Sequence, residues 1–199
     1  MLFSKTISID DFKLEPPRSD LNPKDEKLAN ELLEIFSLKE VTKFNNNYKL
    51  ETLYDAEQRI YNISLAFQRQ LYYTYLLYDT KVDRLVGTIE LLAPISVNES
   101  HKSISKFCFL SGDAVRNNIW LIEYYLHPDY WRQGIMTKAV SGIIDELFHQ
   151  NVGCIAAVCH NRNTAGTKFL SNLKFIHMIR YKNMPDHFLW IKKPSRSQE

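Results

Sequence analysis

The residues best suited to do chemistry gather in Tyr130-Trp131-Arg132-Gln133-Gly134-Ile135-Met136-Thr137. Gly134 stands where an apolar period of three and four residues begins, through Ile135, Ala139, Val140, Ile143, Ile144 and Leu147, so it opens a helix. The first amide groups of a helix have no intrahelical partner and lie at the positive end of its dipole. A bare glycine backbone there lets an anion come close, Thr137 adds a hydroxyl and Arg132 a charge, a combination that suits a phosphate. An ordinary strand-to-helix connection would present the same single glycine, so spacing and context must carry the reading.

Glu123 is the second chemical group, a carboxylate inside the apolar and aromatic run from Ile119 to Leu126. Burial raises the pKa of a carboxylate toward the range useful to a general base. An edge-facing or salt-bridged glutamate would look the same in sequence. His127 and His160 each follow an apolar run, at the carboxyl ends of strands, where sites in α/β proteins collect. A surface or hydrogen-bonded histidine is the plainer account of both. The spacing of His, Cys, Asp and Glu suggests no metal cluster, no Ser-His-Asp order stands out, and the glycine patterns of P-loop and dinucleotide-binding proteins are missing.

The elements that must position these groups follow from pattern. Residues 119–126 read as a strand that stops before Pro128, and residues from 135 onward as an amphipathic helix. Gly153 to Val158 is short and nearly all apolar, as in a strand buried on both faces, and a helix over about Ala165–Leu173 follows. Upstream, Lys13 to Pro17 is expected as a first edge strand. Asn22-Pro23 is expected to cap a helix running to about Leu38, with Leu28, Leu32, Leu33, Ile35 and Phe36 as its stripe. Residues 50–71 resume helical spacing, and Tyr72–Tyr78 with Leu85–Leu92 read as strands joined by a polar hairpin connection, Gly87 marking a bulge or close packing. Residues 94–118 are expected as an insertion loop, Phe175–Tyr181 with His187–Ile191 as a closing hairpin, and 192–199 as a frayed tail.

Composition sets the bounds. The 199 residues suit a single domain over 1–199 with one core, and the 45% hydrophobic share, rich in Tyr and Phe, is that of an ordinary globular protein. A net charge of +2 offers no electrostatic reason to expect nucleic acid or an anionic membrane as partner. Cys108, Cys154 and Cys159 lack disulfide or zinc spacing and read as buried thiols in a reducing compartment. With no signal-peptide pattern and no run of transmembrane length, a cytoplasmic or nuclear location is expected.

Two motifs carry a resemblance. The loop around Gly134 resembles the acyl-CoA pyrophosphate loop of GNAT acetyltransferases, Arg/Gln-x-x-Gly-x-Gly/Ala, with Trp131, Gly134 and Met136 at its three marked positions. Trp131 and Met136 depart from the general pattern, yet Tyr130-Trp131 and Thr137 look like the branch that acetylates ribosomal-protein N-termini. Downstream, Asn161 to Phe175 is similar to the family's Glu-Asn-x-x-Ser-x-x-hydrophobic-Leu-x-x-Leu-Gly-Phe, with Gly166 for the serine, Lys174 for the glycine, and Leu170 where many relatives have a tyrosine acid.

The resemblance implies an α/β (α+β) GNAT fold: a central mixed, mostly antiparallel sheet of about six to seven strands with flanking helices, splayed at the cofactor site. It implies acetyl-CoA as cosubstrate and a primary amine as acceptor, a protein N-terminus or a small molecule. Cofactor contacts are expected from Tyr125, Leu126, His127, Trp131, Arg132, Gln133, Gly134, Ile135, Met136 and Thr137, from Asn163, which would alternatively be a plain helix cap, and from Lys168, which an exposed helix position explains as well. A backbone N–H near Leu126 or His127 would hold the thioester oxygen and Glu123 would take the amine proton. The rival reading is a protein of the same fold that binds acyl-CoA and regulates or interacts without turnover.

Overall fold

The computed structural model describes residues 5–94, 97, 118–180 and 185–194. Eight strands, β1 (Ile7–Ile9), β2 (Phe12–Glu15), β3 (Tyr72–Asp79), β4 (Arg84–Leu92), β5 (Ile119–Leu126), β6 (Cys154–His160), β7 (Ile176–Arg180) and β8 (His187–Lys192), form one sheet in the order β1-β2-β3-β4-β5-β6-β8-β7. Five α-helices are described: α1 (Glu26–Ser37), α2 (Lys39–Thr42), α3 (Leu53–Gln68), α4 (Ile135–His149) and α5 (Thr164–Asn172). β5 and β6 run parallel, while β1 with β2, β2 with β3, β6 with β8 and β7 with β8 run antiparallel. The sheet is therefore mixed and mostly antiparallel, as expected, with more strands than the expected six to seven. The chain folds as two compact units, residues 1–90 with 124–140 and residues 91–123 with 141–199.

In the first unit the added strand is β1. Three residues are too few for a period of two to show in sequence, but Asp10, in the left-handed region at φ 49°, turns the chain so that Ile9 pairs with Phe12. The expected edge strand is thus β2, second in order. α1 starts later than Asn22-Pro23 suggests. The Asn22 side chain and carbonyl accept from the N–H groups of Lys24 and Asp25, which closes a turn, and Asp25 is the true cap, accepting from Leu28 N–H at 3.0 Å. α3 starts on a full capping box, Thr52 with Asp55. The buried stripes of α1 and α3 meet Leu76, Leu85 and Tyr125 in one apolar cluster.

In the second unit the parallel register of β5 with β6 covers Ile119↔Cys154, Trp120↔Ile155 and Leu121↔Ala156. Ile119, Leu121, Cys154, Ala156, Leu189, Ile191 and Val97 form its core cluster. β6 extends two residues past Val158, so His160 is the last residue of the strand rather than a residue that follows it. α5 ends in a left-handed residue: Lys174, at φ 63°, lets Phe175 N–H reach Leu170 C=O at 3.0 Å and its own N–H reach Ser171 C=O at 2.9 Å. The turn for which the resembled pattern has glycine is made here by a lysine. Apart from residues 94, 97 and 118, the expected insertion loop lies outside the described residues, as do the tip of the closing hairpin at 181–184 and the end of the tail at 195–199. No helix among the described residues is long and apolar enough to cross a membrane.

Candidate functional site

The end of β5 is fixed against β4. His127 N–H donates to Val86 C=O at 2.8 Å, and Gly87 is required beside it because a Cβ there would run into the Tyr125 carbonyl, with Leu126 Cδ1 at 3.1 Å. Gly87 thus marks close packing. Along an extended strand the backbone groups of successive residues turn to opposite sides, so with His127 N–H on Val86 the N–H and C=O of Leu126 face away from β4. Of the two backbone donors that sequence brings forward at this point, His127 N–H is spent on the ladder, and Leu126 N–H is the one directed elsewhere.

Past β5 the chain makes a short 3₁₀ turn, Pro128–Tyr130. The buried His127 caps it, its Nδ1 accepting from Asp129 N–H at 3.3 Å. Tyr130 anchors it: the hydroxyl donates to Asp79 Oδ2 at 3.2 Å, the ring lies edge-on to Phe12, and burial together with the Asp79 carboxylate raises its pKa. The loop proper is then held by its own residues. The Trp131 indole N–H donates to Leu126 C=O at 2.7 Å, and the Gln133 amide donates to Asp129 C=O at 2.8 Å.

Arg132 and Gly134 both take left-handed φ, 61° and 77°, and α4 begins immediately after. Its first bond runs from Lys138 N–H to Gly134 C=O at 3.1 Å, so the N–H groups of Ile135, Met136 and Thr137 come before any intrahelical partner. A Cβ on Gly134 would meet nothing within 4 Å. The space beside Gly134 is therefore open, and its sequence neighbours Arg132, Gln133 and Thr137 are exposed. Lys138 is paired with Asp10 in the β1–β2 turn. Ile135 and Met136 point the other way and are buried, which accounts for a methionine where the pattern expects glycine or alanine: its side chain is core.

Tyr125 is turned inward. Its ring packs against Phe36 (5.1 Å between centres) and Tyr48 (4.8 Å), and its hydroxyl accepts from Asn45 Nδ2 at 3.1 Å. Beside it lies a buried ion pair that the sequence reading did not single out. Arg59 Nη2 bonds Glu90 Oε1, Tyr48 hydroxyl donates to the other oxygen at 3.3 Å, and the guanidinium lies 4.0 Å and 4.7 Å from the ring centres of Phe36 and Tyr48. The signals were present: Glu90 is a carboxylate in an apolar strand, and Arg59 falls on the buried stripe of α3, three residues after Ala56 and four before Ile63.

The remaining expected residues belong to the second unit. Glu123 is half-buried near the end of β5. Asn163 caps α5, its Oδ1 accepting from Gly166 N–H at 2.9 Å, and Gly166 has to be glycine because a Cβ would come within 2.7 Å of Asn163 Nδ2 and 2.9 Å of Cys159 Sγ. Lys168 is exposed on α5, and His160 Nδ1 accepts from Arg162 N–H at 3.0 Å.

Residues 18–176 match the family model described as an acetyltransferase (GNAT) domain. No curated protein sequence matches the chain. Among solved structures the fold is similar to a ribosomal-protein-S5-alanine acetyltransferase from Vibrio fischeri, at 16% identity and TM-score 0.63, covering 96% of this chain and 98% of that one. It is similar also to an acetyl transferase from Salmonella typhimurium that modifies the N-terminal serine of the 50S ribosomal subunit protein L7/L12, at 13% identity and TM-score 0.67, covering 96% and 100%. A third is a ribosomal L7/L12 α-N-protein acetyltransferase in complex with coenzyme A, at 14% identity and TM-score 0.67, covering 95% and 98%.

Proposed function

The chain belongs to the GNAT acetyltransferase family, and from that premise we propose that it moves the acetyl group of acetyl-CoA to a primary amine, a protein N-terminus or a small molecule, in the cytoplasm. The observation that carries the reading is the start of α4: three successive backbone N–H groups, a left-handed Gly134 with open space beside it, and exposed Arg132 and Thr137. That donor set is matched to the charge and oxygen geometry of a pyrophosphate. Acetyl-CoA, when bound, supplies an activated thioester whose carbonyl carbon the amine attacks. This chain's residues hold and orient it: the loop takes the phosphates, and Leu126 N–H, directed away from β4, donates to the thioester oxygen as negative charge gathers there. Glu123 takes the proton of the attacking amine, directly or through a water, and the carbon–sulfur bond breaks to release coenzyme A as its thiolate, which takes up a proton from solvent. Support for a protein N-terminus as acceptor comes from the similar structures, whose acceptors are ribosomal proteins.

A second reading, cofactor binding without turnover, is favoured by one observation. Leu170, where many relatives have a tyrosine acid, is buried apolar packing and has no hydroxyl for a leaving thiolate. Titration calorimetry with acetyl-CoA, coenzyme A and ATP, repeated on Gly134→Asp, tests the shared premise. Acetyl-CoA and coenzyme A are expected to bind at micromolar Kd and to lose at least about tenfold in the variant, about 1.4 kcal/mol. An intact protein that binds neither sinks both readings. Acceptor turnover with a panel of free-N-terminus peptides and small amines then separates them. Glu123→Gln is expected to lower kcat by about 10²-fold or more with the acetyl-CoA Kd unchanged.

A further inference from the structure

The peptide group joining Leu126 to His127 is engaged at both ends. Its N–H, that of His127, donates into the β4 ladder at Val86, while its C=O, that of Leu126, accepts the indole N–H of Trp131 at 2.7 Å. The second contact is unusual in kind. A strand-edge carbonyl facing away from its ladder is ordinarily met by another strand or by water, and here it is met by a side chain five residues downstream. That side chain is large, apolar and 42% exposed. Trp131 forms no part of the core, so the hydrogen bond to Leu126 is what fixes the ring at the mouth of the loop.

We propose that the Trp131 indole and an amide N–H of the acyl-carrying arm of coenzyme A compete for the Leu126 carbonyl, so that Trp131 is a specificity-determining residue that the arm must displace. The inference rests on the transferase reading and deepens it. Coenzyme A carries two secondary amides on an extended chain, and an extended chain joins a strand edge through main-chain-type hydrogen bonds. An indole N–H is a donor only, as is the N–H end of an amide, so exchanging one for the other keeps the carbonyl satisfied throughout. The exchange also explains why the loop tolerates tryptophan where the general pattern has arginine or glutamine: the ring closes the edge beside the Leu126 N–H, the group that would otherwise be the thioester donor next to an open acceptor.

Trp131→Phe keeps the ring and deletes the N–H. The probes are coenzyme A and 3′-phospho-ADP, which has the nucleotide phosphates and lacks the amide arm. Relative to the intact protein, Trp131→Phe is expected to bind coenzyme A about three- to tenfold more tightly and 3′-phospho-ADP with unchanged Kd. Tryptophan emission is an independent readout on the unmodified protein, because Trp120 is buried and Trp190 half-buried whereas Trp131 is exposed. Coenzyme A should shift the emission, 3′-phospho-ADP should bind without that shift, and the shift should vanish in Trp131→Phe. Coenzyme A binding that is equal or weaker in the variant, with 3′-phospho-ADP unchanged, overturns the competition and leaves the transferase reading standing. Failure of the intact protein to bind either probe overturns that reading and this inference together.

Discussion

Replacing Arg59 or Glu90 singly should damage the first unit far more than replacing both. The Glu90 side chain is only 6% exposed and Arg59 13%, so each charge is largely removed from water and depends on the other. Arg59→Met leaves the Glu90 carboxylate buried with only the Tyr48 hydroxyl among the partners described above, a loss of about 3–5 kcal/mol for a broken buried pair. Glu90→Met leaves a guanidinium with rings on two sides and no counter-charge, a cost of similar size. In the double methionine variant no charge is stranded. What remains lost is the stacking of the guanidinium on Phe36 and Tyr48, about 1–2 kcal/mol when desolvated, and the long hydrogen bond from the Tyr48 hydroxyl to Glu90. Against this stands the unpaired Arg59 Nε, buried without a hydrogen-bond partner, whose removal recovers part of the loss. The double variant should therefore lie within about 2 kcal/mol of the parent, and the cycle should give a coupling of at least about 3 kcal/mol. Urea unfolding of the four proteins, followed by far-UV circular dichroism, measures it. Single losses below about 1 kcal/mol, or a double loss equal to their sum, would refute the account of the pair as mutually dependent buried charges.

Two further outcomes follow from local geometry. Lys174→Gly should stabilise the protein, because a left-handed lysine costs about 1–2 kcal/mol and glycine gives back about 0.5–1 kcal/mol of that in unfolded-chain entropy. The net gain of about 0.5–1 kcal/mol should raise Tm by about 1–4 °C in a scanning thermal melt, and an unchanged or lowered Tm would count against a strained cap. Burial raises the Cys159 thiol from its ordinary 9.0 to about 11. The folded state thus favours the protonated thiol, a contribution fully present below pH 9 and lost as pH climbs through 11. In a Cys108→Ser background, Cys154 and Cys159 should resist iodoacetamide at pH 8 and react only in urea; rapid labelling of the native protein would contradict their burial.

Much of the fold could be read from residue patterns because its elements advertise themselves. β5 is an unbroken apolar and aromatic run of eight residues apart from Glu123, α4 shows its period over fifteen, and α3 shows helical spacing from residue 50 onward. β1 has three residues and no such period. The start of α1 was misplaced because Asn22-Pro23 and Asp25 are both good caps, and only the position of Leu28 above Asp25 decides between them. At the site, Gly134 and its flanking polar groups were visible as types in order. The direction of Tyr125 was not, since β5 carries large apolar or aromatic residues on both faces and alternation gives no sign of which side meets α1. Nor does sequence reveal that Val86 takes the His127 N–H, or that Met136 is core, because both depend on which face the backbone offers to a distant segment. Arg59 and Glu90 each broke an apolar pattern, but 31 positions separate them, and pairing them required the packing of α3 on β4.

The β1–β2 turn has a practical bearing on how the protein can be handled. Asp10 pairs with Lys138 at the start of α4, Asp11 pairs with Lys81 and accepts from Thr80, and Phe12 meets the ring of Tyr130. Asp10 and Phe12 thus brace the stretch from Tyr130 to Lys138 from outside, while Asp11 ties the same turn to the β3–β4 connection, so trimming the first dozen residues to aid crystallisation would loosen that stretch. A purification tag whose removal cuts into this segment would leave a protein that purifies normally and titrates with cofactor poorly; attached at the carboxyl end, the same tag spares that brace.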